Sequence, residues 1–173
     1  DRMLHVMRTE PELLEDWVAS HQPFHWFLEF PEVLSRGGFD VILGNPPYIA
    51  RRKIPYKVES YSTDACNDIF ATCMERAALL MNPRGWYSMI VPIAFQFSDG
   101  YSAARRVISE RLPRRWVSSY SRRPSALFDA GVRPIIVVGG PGETSSLFTT
   151  FLRRWPQEFR PHLFRTNFYN ELS

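Results

Sequence analysis

Cysteine is scarce in this 173-residue chain: only Cys66 and Cys73 occur. Their spacing fits neither a CxxC redox pair nor a zinc knuckle, and two thiols cannot build a disulfide framework. Reduced thiols in a core or on a helix face, in a cytoplasmic protein, are the expectation. Histidine is almost as rare. His5, His21 and His162 show no spacing for a metal or a catalytic triad, so no metal centre is expected. His25 lies in an aromatic run and reads as a packed core or interface residue. There is no apolar run long enough to cross a membrane, no secretory pattern near the N-terminus and no internal repeat. Lysine is nearly absent, 2 against 19 arginines.

A further lack concerns nucleotide binding. No strand–GxG–helix unit precedes residue 45, where Gly37-Gly38 reads as a plain turn. The later Gly139-Gly140-Pro141-Gly142 run is followed by Ser145 to Phe151, rich in β-branched and aromatic residues. It predicts a hairpin turn and a returning strand.

What is present is concentrated in Phe39-Asp40-Val41-Ile42-Leu43-Gly44-Asn45-Pro46-Pro47-Tyr48. The apolar run predicts a central strand covered on both faces. Two prolines end the ladder, because neither can donate a backbone hydrogen. Asn45, preceding a proline, is held extended. A carboxamide oxygen and a proline carbonyl are thereby set side by side at the carboxyl end of a strand, the edge where open α/β sheets bind ligands.

Paired acceptors beside an aromatic ring suit methylation of an amino group conjugated to a ring or carbonyl. Such a nitrogen is a poor nucleophile because its lone pair is delocalised. Accepting its two N–H groups at Asn45 and at the Pro46 carbonyl favours a tetrahedral nitrogen and stabilises the positive charge that grows during transfer. Tyr48 offers a face on which a planar group can stack.

With this tetrad the chain resembles the amino-group methyltransferases that use S-adenosylmethionine, and most closely the N6-adenine DNA methyltransferases of type IIG restriction–modification and BREX-like systems. The resemblance extends to Phe24-His25-Trp26 with Phe30-Pro31-Glu32 upstream, to Asn67-Asp68-Ile69-Phe70, to Met81-Asn82-Pro83-Arg84-Gly85-Trp86, and to Leu127-Phe128-Asp129-Ala130-Gly131. It implies Asn45, Pro46 and Tyr48 as catalytic residues. It further implies Asn45, Pro47, Asp68 and Phe70 around the cofactor, and a flipped adenine of double-stranded DNA stacked between Tyr48 and Phe128. Phe128 otherwise reads as a loop anchor. The family's Gly-rich cofactor loop has no counterpart here, so the expectation is a piece of a larger methylase polypeptide.

Clustered arginines suit phosphate binding, as does the modest net charge of +3. Arg51, Arg52 and Lys53, directly after the tetrad, read either as contacts to the DNA strand or as a solvated loop. Arg105-Arg106, Arg114-Arg115, Arg122-Arg123 and Arg153-Arg154 read as solvated faces. Alternating strands and helices indicate an α/β fold: a partial, Rossmann-like methyltransferase sheet with a terminal antiparallel hairpin. The expected organisation is an N-terminal helical segment over 1–23, the catalytic half of a methyltransferase domain over 24–145, and a returning strand with a connection over 146–173. Within it a helix is predicted over 10–19, a long functional loop over 49–67 and a helix over 68–81 with Ile69, Cys73, Ala77 and Leu80 inward. A strand over 87–91, a helix from Ser98-Asp99 to Pro113 burying Tyr101, Ala104, Ile108 and Leu112, and strands over 116–121 and 134–138 complete it. The activity expected is adenine-N6 methylation of DNA. The alternatives are methylation of protein glutamine or RNA bases, or an inert DNA-contacting module.

Overall fold

The computed structural model describes residues 15–16, 18–20, 22, 24–55, 58–129 and 131–172. The chain divides into two compact units, Asp1–Arg36 and Gly37–Ser173. The helix expected over 10–19 lies largely outside the described residues; 15–16 and 18–19 within it are helical, as is Ser20.

In the first unit two short helices follow one another, α1 (Trp26–Glu29) and α2 (Pro31–Ser35), the second opened by its proline. Trp26 packs edge-on against Phe24 and stacks on Phe30, at centroid distances of 4.9 and 5.9 Å. His25 is exposed, with its ring 5.9 Å from Phe27, so of the core or interface placement expected the core one is excluded.

The second unit contains β1 (Phe39–Gly44), α3 (Ile69–Leu80), β2 (Met81–Pro92), α4 (Ala94–Phe97), α5 (Ser102–Arg111), β3 (Arg114–Ser119), β4 (Pro134–Gly140), β5 (Ser146–Thr149) and β6 (Asn170–Leu172). They form one mixed sheet in the order β1-β2-β4-β3-β5-β6. β1 runs parallel to β2, and β4 lies antiparallel between β2 and β3. Gly37 and Gly38, both at positive φ, make the turn into β1.

One face of the sheet packs on the helices. Tyr87, Met89 and Val91 of β2 and Ile135 and Val137 of β4 point inward at period two. They meet Phe70, Met74 and Ala78 of α3 and Ala104 and Ile108 of α5. Tyr101, Ala104, Ile108 and Leu112 are all buried, as their spacing predicts. The start of α5 is preceded by a 3-10 turn, Asp99–Tyr101, and Ser98 makes no side-chain cap. On the other face Trp116 lies between Trp86 and Phe148, stacked at 5.9 and 5.5 Å.

Four expectations are corrected. Among the described residues β1 pairs with β2 alone and is an edge strand, and the face that carries Val41 and Leu43 is uncovered, leaving them 57% and 74% exposed. A run of apolar residues marks burial on average and cannot tell an edge from a centre. Helix α3 is corrected in part: Ile69, Ala77 and Leu80 are buried as expected, but Cys73 is only half-buried, and Phe70, Ala71, Thr72, Met74, Glu75 and Ala78 are buried as well, so the helix is enclosed almost all round. It is pressed by β2, α5 and the 58–66 loop at once. The strand expected over 87–91 begins at Met81, through an irregularity in which Phe39 pairs with Met81 and Val41 with Trp86. Lastly, β5 does not return along β4. It crosses to the far side of β3 and pairs with it in parallel, with β6 antiparallel beside it.

Candidate active site

The tetrad leaves the carboxyl end of β1. Asn45 and Pro47 are exposed, Pro46 is buried and Tyr48 is half-buried. Tyr48 folds back toward the sheet. Its hydroxyl lies 2.9 Å from the Asn45 side-chain oxygen and 3.0 Å from the Ile90 carbonyl of β2, and donates its one proton between them. Its ring meets Phe70 edge-on at 6.4 Å. Burial pushes the Tyr48 hydroxyl above its ordinary pKa, so it stays a donor through neutral pH. The carboxamide oxygen is thereby oriented while keeping a second lone pair for an incoming N–H.

Behind the tetrad, the chain is tied to the start of α3. Ala50 and Asp68 form an antiparallel bridge, Arg51 N–H donates to Asn67 O at 2.8 Å and Ile69 N–H to Ile49 O at 3.0 Å. This brings Asp68 and the tetrad to one place, although 20 residues separate them. The Asp68 carboxylate accepts from the Tyr101 hydroxyl, whose pKa rises through burial first and this bond second. Phe70 is fully buried between Tyr48 and Tyr101, so it backs the site and presents no face to a ligand.

Arg51 turns away from solvent. Its guanidinium donates to Thr72 Oγ1 at 2.5 Å, Val58 O at 3.1 Å, and Thr63 O and Cys66 O at 3.4 Å, with Asp64 3.7 Å away. The expected DNA contact at Arg51 is therefore corrected: its donors are used inside the protein. Arg52 and Lys53 are exposed in the same 3-10 turn. Buried Glu75 completes the arrangement by accepting from Ser62 N–H at 3.0 Å and Thr63 N–H at 2.9 Å. A cleft of about 680 Å³ opens alongside, lined by Ala50, Arg51, Arg52 and Asp64–Asn67. Phe128 is half-buried and packs on a second cluster of Tyr120, Leu127, Trp155 and Leu163, whereas Tyr48 packs on the first.

Sequence reasoning missed Thr72 and Glu75, and it expected Tyr101 in the core without its bond to Asp68. Thr72 and Glu75 stand three apart on a helix whose one other polar side chain apart from Cys73 is Arg76, a sign of buried polar partners that was available. Buried Cys66 and half-buried Cys73 are free thiols, each raised in pKa by burial.

A parallel strand pair carrying an Asn-Pro-Pro-Tyr turn at its carboxyl end, backed by two helices and an antiparallel β4, has the fold of a methyltransferase catalytic domain. That fold recurs in the DrdV–DNA complex (TM-score 0.61, 12% identity, 84% of this chain and 18% of that one). It also recurs in a nuclease-deletion mutant of the type ISP enzyme LlaGI bound to a DNA substrate mimic (TM-score 0.59, 9% identity, 79% and 14%). The Eco57I restriction-modification methylase model matches residues 4–121, and the chain belongs to that family. A Methanocaldococcus jannaschii protein, described as a type II restriction enzyme and methyltransferase, is 32% identical over 92 residues, 53% of this chain and 8% of its own length. The chain thus spans less than a fifth of these three relatives.

Proposed function

We propose that this chain carries the catalytic centre of an S-adenosylmethionine-dependent DNA methyltransferase acting on the N6 amine of adenine. The observation that supports this most is the Asn45 carboxamide, exposed at the end of β1 and oriented by the Tyr48 hydroxyl. Family membership favours DNA as the substrate.

The residues present fit part of the cofactor. Exposed Pro47 and the cleft beside Ala50–Arg52 can bound the reactive end. Asp68 and Phe70 are engaged behind it by Tyr101 and the core, so they act as supports. S-adenosylmethionine, when bound, supplies a methyl group on a sulfonium, an electrophile that needs no strong base in the protein.

The chain's own work falls on the amine. Asn45 and the Pro46 carbonyl accept its two N–H groups, drawing the nitrogen toward tetrahedral geometry and freeing its lone pair. The same acceptors stabilise the charge that develops. Tyr48 holds the carboxamide and bounds the slot for a planar base. Proton loss follows to solvent, with no general acid–base pair required.

The test is transfer of labelled methyl by a polypeptide carrying this chain, offered duplex DNA, RNA and a glutamine-bearing protein side by side. DNA alone is expected to be labelled, at adenine N6. Asn45→Ala should lower the rate by about 10²- to 10³-fold, the usual cost of one preorganised polar group, with DNA affinity retained. Labelling of RNA or protein instead would reject the assignment.

A further inference from the structure

A second cleft stands apart from the tetrad. It encloses about 650 Å³ and is lined by Ser121, Arg122, Arg123, Pro124, Arg133 and Arg154. All four arginines are exposed, and among the described residues no carboxylate lines the cleft and none of the four makes an ion pair. The backbone that carries them is held in place. Arg122 donates to Gly131 O at 2.7 Å, closing the loop that carries Phe128. Tyr120 and Arg153 form a parallel bridge in which Ser121 N–H donates to Arg153 O and Arg153 N–H to Ser119 O, both at 2.7 Å, so Arg154 is fixed beside that loop.

The strand registers place this cleft at the same end of the sheet as Asn45. Gly44 pairs with Met89, Pro92 with Pro134, and Ile135 with Ser119. Residues just past Ser119 and just before Pro134 therefore emerge where β1 delivers the tetrad. Ile93 N–H donates to Arg133 O at 2.8 Å at that same end. Between β1 and β3 lie three strand spacings, about 15 Å, or some four base steps along one B-form strand.

We propose that Arg122, Arg123, Arg133 and Arg154 form a phosphate-binding cleft that grips the DNA backbone a few nucleotides from the base presented to Asn45. Guanidinium forks match phosphate oxygens two at a time, and four of them converging without a carboxylate leave a concentrated positive field. Such contacts read no sequence; they fix position along the duplex. The identity of the polyanion rests on the methyltransferase reading, while the cleft itself rests on geometry alone.

The experiment is anisotropy of two unrelated labelled duplexes titrated with the full chain across a salt series. The test variant is Arg123→Gln/Arg133→Gln/Arg154→Gln, which spares the Arg122–Gly131 bond. A control of equal charge change replaces exposed Arg84, Arg106 and Arg111 with Gln. The cleft variant should lower the slope of log affinity against log salt by about 2 to 3, equally for both duplexes. The control should change it by less than half of that. Lysine at the three test positions should restore the slope, which separates lost charge from lost folding. An unchanged slope, an equal fall in the control, or a wild-type chain with no measurable DNA affinity at low salt each overturns the proposal. Asn45→Ala, run in parallel, should keep the wild-type slope whether or not methyl transfer is detected, so the two readings fail separately.

Discussion

At the scale of single residues, Tyr48 does more than offer a ring. Its hydroxyl bridges Asn45 and Ile90, coupling the acceptor to the backbone of β2. Tyr48→Phe should therefore slow methyl transfer by roughly 10- to 100-fold, since the carboxamide then samples other rotamers, while costing only about 1 kcal/mol in stability. Urea denaturation and single-turnover rates measure the two effects. Tyr48, Tyr87, Tyr101 and Tyr120 all have pKa values raised by burial. A raised folded value favours the neutral phenol, so this stability is fully present below the unfolded pKa near 10 and is lost as pH climbs through the folded values. The buried thiols of Cys66 and Cys73 add the same effect from a lower unfolded pKa near 8.5, so the urea midpoint should hold from pH 7 to about 8, ease above that, and fall more steeply above about 10.5. The Asn-Pro-Pro-Tyr turn was legible because prolines dictate backbone locally. The inward turn of Arg51 was not, because its partners lie up to 21 residues away and only the folded chain assembles them.

At the scale of elements, the 49–67 loop illustrates why length alone misleads. Its length and polarity suggest a mobile flap, yet Arg51 from one end and Glu75 from α3 hold it by backbone groups. Glu75→Ala leaves the amides of Ser62 and Thr63 unpaired beside a helix. Such a loss costs about 1–3 kcal/mol and should speed hydrogen exchange across 60–66, whereas Glu110→Ala, exposed on α5, should do neither. Equal effects of the two would show that the clamp is not what holds the loop. Helices α3 and α5 were legible from apolar spacing, and β2 and β4 from β-branched content. The crossover of β5 was not: nothing local in Ser146–Thr149 distinguishes pairing with β4 from pairing with β3.

At the scale of the molecule, the sheet's outer strand is the site-bearing one. β1 has a paired side toward β2 and presents Val41 and Leu43 to solvent. An apolar edge strand of this kind recruits other chains. Leu43→Lys should reduce self-association of the chain, read by light scattering at rising concentration, without shifting its melting temperature by more than a degree or two. Unchanged scattering would show that association, if any, arises elsewhere. The composition had suggested a covered central strand, since hydrophobicity reports what a residue favours rather than which neighbours the rest of the chain supplies.

The bonds that join Ala50–Arg51 to Asn67–Asp68 have one more consequence. They act as a buckle that fixes where the ring leaves and rejoins the catalytic turn. Extra residues spliced between Ile54 and Val58 would enlarge the hanging ring at a cost of about 0.6 kcal/mol per doubling of its length. An epitope tag or a labelled peptide of a dozen residues grafted there should leave turnover within a few-fold of wild type, which makes this position a handle for tethering the protein without touching its chemistry.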